Sequence, residues 1–350
     1  MVESMKSHRP FFSICIPAYN RAQHLKPLLD SIFSQSYKSF EIVVCEDMSR
    51  EREQIESIVS EYSNAHPGKV RYFNNEINLG YDANIRNLVE KAQGEYCFFM
   101  GNDDLMCPGA MEHVHDLISR HENVGMVLKS YAWFDGVPDA INQEVRYFTD
   151  ERFFSAGKEA ISVCFRRAGV ISGYIIHRDS AYSAATSEFD GSLYYQMLLT
   201  ASVLAKRNAV FTPMVLVHCR NGEPPEFGNS GAEKGKYTPG QYTPTARLNM
   251  IGGAVSIART VANRTGIDFS DNVIRDYANY FYPYIKDQLN LPVVDFLKLY
   301  INFSKMGFWK FPLFHVYFLV AYALGETRFD ALTRFVRKKL GRSPNFGVGK

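Results

Sequence analysis

The sequence predicts an α/β protein with a mostly parallel sheet, helices on both of its faces, and a helical C-terminal region. Three observations predict this. Short, β-rich apolar runs alternate with amphipathic helical patterns from Phe11 to Phe134. Polar and acidic residues gather where those apolar runs stop. From Ala246 onward the pattern reads as helical.

The elements follow in order. "FFSICIPAYN" is a buried strand closed by Pro17 and Asn20. Leu25, Leu28, Leu29, Ile32 and Phe33 recur at helical spacing, which predicts a helix over 22–35. "FEIVVCED" is a second buried strand, and Ile55, Ile58, Val59 and Tyr62 mark a second helix. "VRYFNN" is a third strand, residues 81–93 a third helix ended by Gly94, and "YCFFM" a fourth strand. A helix from Pro108 to Arg120 and the strand "VGMVLKSYAWF" complete the alternation. Beyond it, "GVISGYIIHRDSAY" and "AVFTPMVLVHCR" read as strands, with "GSLYYQMLLTASVLA" as a helix between them. Residues 221–245 are rich in Gly, Pro and polar residues, and read as a linker or a lid.

The totals exclude several classes. The 350 residues carry a net charge of +2, so the chain is no nucleic-acid polycation. The six cysteines are scattered without a CxxC pair, which argues against a zinc ribbon and a disulfide framework. Cys15, Cys45 and Cys97 lie in apolar runs and read as small buried hydrophobes in a reducing compartment. "MVESMKSHRPFF" has no apolar signal core, so the cytoplasm is the expected location. No GxGxxG follows a strand, which disfavours a nicotinamide-dependent dehydrogenase.

In a parallel sheet the ligand sits beyond the carboxyl ends of the strands. Here those ends read "PAYNR", "CEDMS", "NEINLGYDANIRN" and "GNDD". Asp103 and Asp104 are adjacent like charges at the end of an apolar run. Burying them unpaired would be costly. A hard divalent cation, Mg²⁺ or Mn²⁺, resolves the conflict, because it takes carboxylate and phosphate oxygens together. A solvated Asn-Asp-Asp turn is the competing reading.

Across residues 11–111 the chain resembles the family 2 glycosyltransferases. The resemblance rests on "SICIPAYNRAQHLKPLLDSIFSQSYKSFEIVVCEDMS", "NLGYDANIRNLVEKAQGEY" and "FFMGNDDLMCPGAM", in that order. It implies the GT-A fold, a Rossmann-like sheet flanked by helices. It also implies a donor site for a nucleoside-diphosphate sugar. Pro17, Tyr19 and Arg21 would line the base pocket, and Asp47 would take a hydrogen bond from base or ribose. Asn78, Gly80 and Asn84 would lie along the nucleoside, and Asp103 would ligate the metal that bridges the diphosphate, with Asp104 beside it. The chain departs from the family's pattern at Gly101, where a carboxylate is usual. A Gly-x-Asp-Asp ending is similar to that of members adding deoxysugars to bacterial O-antigens.

The resemblance also implies inversion at the sugar carbon, with a carboxylate base for the acceptor hydroxyl. Asp190, preferred for its place before a helix, and Glu188 are the candidates; Asp190 is also a good helix N-cap. His218 is a candidate third metal ligand, Arg220 a phosphate contact, and His177 and Arg178 face the acceptor in this reading. The domains expected are 1–220 for donor binding and catalysis, 221–245 for a lid or acceptor loop, and 246–350 for a helical region.

"MGFWKFPLFHVYFLVAYALG" has an apolar core shorter than the ~20 residues of a spanning helix, and His315 interrupts it. Arg328 to Lys350 holds seven Lys/Arg against one Asp. Residues 306–350 therefore suit docking on an anionic membrane surface, against the alternative of a buried helix or dimer interface. The expectation is a transferase at the inner face of the cytoplasmic membrane, acting on a saccharide or polyprenyl-linked acceptor. The second reading is a nucleotide-sugar-binding scaffold that has lost transfer. A nucleotidyltransferase ranks last, because "PAYNRAQH" lacks the glycines of a triphosphate loop.

Overall fold

The computed structural model describes residues 9–339. Chain order sets the following elements. The first half holds β1 (Phe12–Ala18), α1 (Ala22–Phe33), β2 (Phe40–Glu46), α2 (Arg52–Ala65), β3 (Val70–Asn74), α3 (Tyr81–Lys91) and β4 (Tyr96–Phe99). Then come β5 (Leu105–Met106), α4 (Ala110–Ser119), β6 (Val124–Phe134), β7 (Ile141–Val145) and β8 (Arg152–Phe154). They are followed by α5 (Lys158–Cys164), β9 (Tyr174–His177), α6 (Arg178–Ser183), α7 (Tyr195–Leu204) and β10 (Asn208–Arg220). The C-terminal region is α8 (Pro244–Thr265), α9 (Ser270–Asn279), α10 (Tyr282–Ile285), α11 (Val293–Lys305) and α12 (Pro312–Lys339).

The strands form one sheet in the order β3-β2-β1-β4-β9-β6-β10-β5, with β7 on β6 and β8 on β10. β1 pairs in parallel with β2 and β4, and β2 with β3. β9 is inserted antiparallel between β4 and β6, and β10 runs parallel to β6. The strands β1, β2, β4, β6 and β10 therefore all end at one edge, which is the edge where a parallel sheet presents its ligand site. β1 and β2 are buried almost throughout, because helices cover both of their faces.

The predicted alternation is observed, with helix ends at most two residues inside the expected bounds, as fraying and capping allow. One contiguous core joins the sheet to the C-terminal helices, since α8 lays Met250, Ile251, Ala254 and Val255 among the buried residues. Asp276 of α9 fixes the join. Its carboxylate accepts from Arg166 Nε at 2.7 Å and Arg167 Nη1 at 3.0 Å, and the two guanidiniums hold it below the usual carboxylate range despite its burial. The aromatic excess has a structural reason. The Phe281 ring is the hub of a cluster, with Phe303, Phe308 and Phe314 each 4.9 Å away in edge-on geometry. Of the basic segment expected from Arg328 to Lys350, residues 340–350 lie outside the described residues.

His177 is part of this frame and does not face the cleft described below. Its Nδ1 accepts from the Ser180 N–H at 3.3 Å and so caps α6. Burial, then Arg207, pushes its imidazole down to about 4. The unfolded chain binds a proton below about 6.5 that the folded chain refuses. The contribution of His177 to stability is thus predicted to be full above pH 6.5 and to fall by about 2–3 kcal/mol between there and pH 4. His177→Asn, which keeps an acceptor for Ser180, should remove this contribution, so the difference in stability between wild type and variant in urea melts should fall by that amount across the range.

Candidate active site

A cleft of about 470 Å³ opens at the carboxyl edge of the sheet. Its walls include Pro17, Tyr19 and Arg21 after β1, Asp47 after β2, and Asn78, Gly80 and Asn84 around the start of α3. Gly101 to Asp104 after β4, Trp133 of β6 and Arg220 of β10 complete the strand ends. Every residue assigned above to the nucleotide therefore shares one cleft with Asp103 and Asp104.

Asp47 organises the nucleoside end. Its Oδ1 accepts from the Asn75 side chain and the Leu79 N–H, both at 2.8 Å, and its Oδ2 from the Gly80 N–H at 2.9 Å. Burial raises its pKa and these donors work against the shift. Asn75 also donates to Asn84 Oδ1, and Asn84 donates to Cys45 O. The loop before α3 is thus stitched to the end of β2. Gly80 has φ +85, and an added Cβ would stand 2.3 Å from Ser230 Oγ and 2.7 Å from Glu233 Oε1. No other residue fits there.

The acidic loop is built differently from the sequence expectation. Asp104 Oδ1 accepts from the Arg220 N–H at 2.7 Å, and Oδ2 accepts from the Ser172 hydroxyl. Burial, then the Asp103 charge, pushes its carboxyl up to about 7. Asp104 therefore fastens the loop to β10 and the segment before β9. Asp103 faces the cleft, with its Oδ2 2.6 Å from Arg21 Nη1. Its Oδ1 has no partner among the described residues. A Cβ on Gly101 would crowd Asp103 Oδ1, Asp104 Oδ2 and Ser172 Oγ at 3.1–3.2 Å. The departure at Gly101 has this steric reason.

His218 does not join the acidic pair. Cys219, next along β10, is the side chain that reaches Asp104, so strand alternation turns His218 to the other face. Burial pushes its imidazole down, with Glu144 and Asp139 opposing. No three His, Cys, Asp or Glu side chains among the described residues could hold a metal together. Asp103 alone still fits a metal of the Mg²⁺ or Mn²⁺ kind, which is commonly held by one or two carboxylates plus substrate phosphates.

The two candidate bases also stand elsewhere. Asp190 forms a two-point ion pair with Arg86, at 2.5 and 2.8 Å, and Glu188 pairs with Arg264 at 2.5 Å. Neither lines the cleft. The helix start expected to position Asp190 comes later, at Tyr195, and Asp82 caps it instead. Asp82 accepts from the Leu193 N–H at 2.9 Å and the Tyr195 N–H at 3.0 Å, and burial pushes its carboxyl up to about 6. That cap presents Leu193, Tyr194 and Gln196 to the cleft. Arg178 turns away, donating to Val89 O and Glu90 O.

Residues 221–243 fold over the cleft as a docked strap. Glu233 is the latch. Its Oε1 accepts from the Tyr81 N–H at the start of α3, and its Oε2 from the Gly228 N–H, both at 2.8 Å. Arg21 Nη2 donates to Pro224 O at 2.5 Å, and Tyr237 donates to Gly191 O. The strap brings Glu226, Phe227 and Tyr242 to the wall. Sequence reasoning missed Glu233, Ser172 and Gln196, which carry no periodic signal. Trp133 was findable, because it closes a predicted strand.

The sheet, its carboxyl-edge cleft and the helical C-terminal region define the GT-A fold. Residues 13–175 match the family model for Glycosyl transferase family 2. The chain is similar to an uncharacterized glycosyltransferase of Rickettsia conorii, 28% identical over 52% of this chain and 29% of the relative. It is also similar to the abequosyltransferase RfbV of Salmonella typhimurium, 32% identical over 28% of this chain and 30% of the relative. The chain spans under a third of the length of both. Among solved structures, S. aureus TarS 1–349 in complex with UDP-GlcNAc matches with TM-score 0.61 at 16% identity, over 84% of this chain and 80% of that one. A mannosyltransferase from Pyrobaculum calidifontis in complex with GDP-Man and Mn²⁺ matches with TM-score 0.50 at 15% identity, over 97% and 83%. These likenesses show the fold.

Glu233→Ala removes two hydrogen bonds to a charged group, worth about 1.5–3 kcal/mol each. The strap is expected to undock. Amide exchange at 223–242 should quicken at least tenfold while the sheet stays protected.

Proposed function

We propose that this protein is a metal-assisted, inverting glycosyltransferase that moves a sugar from a nucleoside diphosphate to a saccharide acceptor. The observation that carries the reading is the cleft itself. The hydrogen-bonded Asp47 loop and the Asp103 carboxylate with its arginine share one wall, within the segment that matches the family model.

In this reading Pro17, Tyr19 and Asn78 flank the nucleoside, and the Asn78 side chain orients the Tyr19 hydroxyl. Asp47 keeps its loop rigid and offers remaining lone pairs to ribose or base. Arg21 and Arg220 bring positive charge to the diphosphate, and both stand on Asp103. Asp103 would hold Mg²⁺ or Mn²⁺ once phosphate oxygens complete the shell. The bound metal would neutralise charge developing on the leaving diphosphate. The docked strap excludes water from the reacting sugar. Trp133, Phe227 and Tyr242 offer aromatic faces at the mouth, suited to the apolar faces of an acceptor sugar. A lipid-linked glycan of a bacterial surface is the proposed acceptor.

The scaffold reading keeps nucleotide binding without turnover. Gly101 favours it less than the sequence alone suggested, because a Cβ there would crowd Ser172 Oγ and Asp104 Oδ2 at 3.1 Å.

Titration calorimetry with UDP, GDP, CDP and dTDP separates these outcomes. One nucleotide is expected to bind, with an affinity that EDTA or Asp103→Asn lowers at least tenfold. Mn²⁺ alone is expected not to bind, since one carboxylate is too few ligands. Equal affinity with EDTA would remove the metal from the account. No binding of any of the four would overturn the donor site.

A further inference from the structure

We infer that α11 and α12 form a docking face for an anionic lipid surface, joined to the cleft wall through Tyr242. The two helices run antiparallel. Phe296 meets Phe318 and Tyr322, whereas Tyr300 meets Phe314 and His315. Their inner sides, with Phe296, Phe303, Phe314 and Phe318, are buried on the Phe281 cluster. The outer sides are apolar as well, which a helix packed on one side does not require. On α11, Val293, Leu297 and Ile301 recur every four residues and all are exposed. On α12, Val316, Leu319 and Tyr322 recur every three, with Leu319 71% exposed. Trp309, in the turn between the helices, is 62% exposed. A soluble surface rarely leaves so many large apolar side chains together. Only the α12 part was visible in the sequence; the α11 part comes from the pairing.

The face cannot be a span, because no helix among the described residues is long and apolar enough to cross a membrane. Charge selects the occupant. Lys305 on α11 and Arg328 on the second half of α12 lie exposed, and so do Lys298 and Arg334, whose charges are paired with Asp295 and Asp330. The acids nearby are engaged: Asp295 pairs with Lys298, and Glu326 accepts from Asn290. The sequence from Arg337 to Lys350 adds five cations and no acid. A second copy would set this positive rim against another, whereas anionic headgroups complement it. Aromatic residues at the edge suit the water–lipid boundary.

The face is tied to the cleft. Gln288 donates to Tyr242 O at 2.6 Å, and Tyr242 lines the cleft. Lys286, two residues earlier, pairs with Asp330 of α12 at 3.0 Å. Docking would hold the aromatic mouth near the lipid surface, where a lipid-linked acceptor presents its sugar. That last step rests on the proposed function; the docking does not.

The test is sedimentation of the full chain with vesicles of phosphatidylcholine, with and without about 30% phosphatidylglycerol. Binding to the anionic vesicles at least tenfold stronger than to the neutral ones is expected, weakening on going from about 0.1 to 0.5 M NaCl. The double variant Leu297→Glu, Leu319→Glu changes only exposed positions. It should lose vesicle binding at least tenfold and keep its far-ultraviolet spectrum, melting temperature and nucleotide affinity. Unchanged vesicle binding in the variant, or none in the wild type, would overturn the inference. So would a wild-type dimer by light scattering that the variant dissociates, because a second copy would then cover the face. Nucleotide binding in the same samples reports on the donor site separately.

Discussion

The Asp47 carboxylate is the interaction on which the cleft depends. It follows β2, lies almost wholly buried, and takes three donors from Asn75, Leu79 and Gly80. Those donors fix the turn that begins α3. The turn in turn fixes Gly80, against which the strap packs Ser230 and Glu233. Without a buried acceptor at position 47 the loop has no reason to close, and the strap has nothing to latch onto. A buried carboxylate is costly unless satisfied, and here backbone N–H groups satisfy it, which also makes the loop stiff.

The second half of the site handles like charge. Asp103 and Asp104 are adjacent but take separate partners. Asp104 is drawn back by Ser172 and Arg220, where burial keeps its proton until about neutral pH. Asp103 stays forward with Arg21. Arg21 and Asn20 both sit in the left-handed region, at φ 60 and 52, which few side chains adopt without tertiary support. Asn102 supplies part of that support by donating to Asn20 O at 2.7 Å. The loops after β1 and β4 therefore shape one another, and the arginine is carried to the carboxylate by a backbone that pays in strain.

Much of this was legible in the sequence. Apolar runs and helical spacing located β1 to β4, α1 to α4 and the 11-residue β6, because burial on a parallel sheet writes a strong pattern. The segments at the carboxyl edge of the sheet were located by strand position, and the particular residues there by the family resemblance. What failed depended on side-chain direction or on long-range pairing. His218 was read as a third ligand, and alternation along β10 sends Cys219 there instead. Asp190 was read against a helix start that lies five residues later, with Arg86 as its partner 104 positions away. The 221–245 segment gave no period, and its latch, Glu233, is one acid in a polar loop until α3 supplies the Tyr81 N–H.

The central claim is that Asp103 serves a reaction rather than a fold. The most direct measurement is release of nucleoside diphosphate from UDP-, GDP-, CDP- and dTDP-sugars, by the wild type and by Asp103→Asn at equal melting temperature. The account predicts release from sugars of one nucleotide class, falling at least about a hundredfold in the variant. Equal release by both proteins would contradict it.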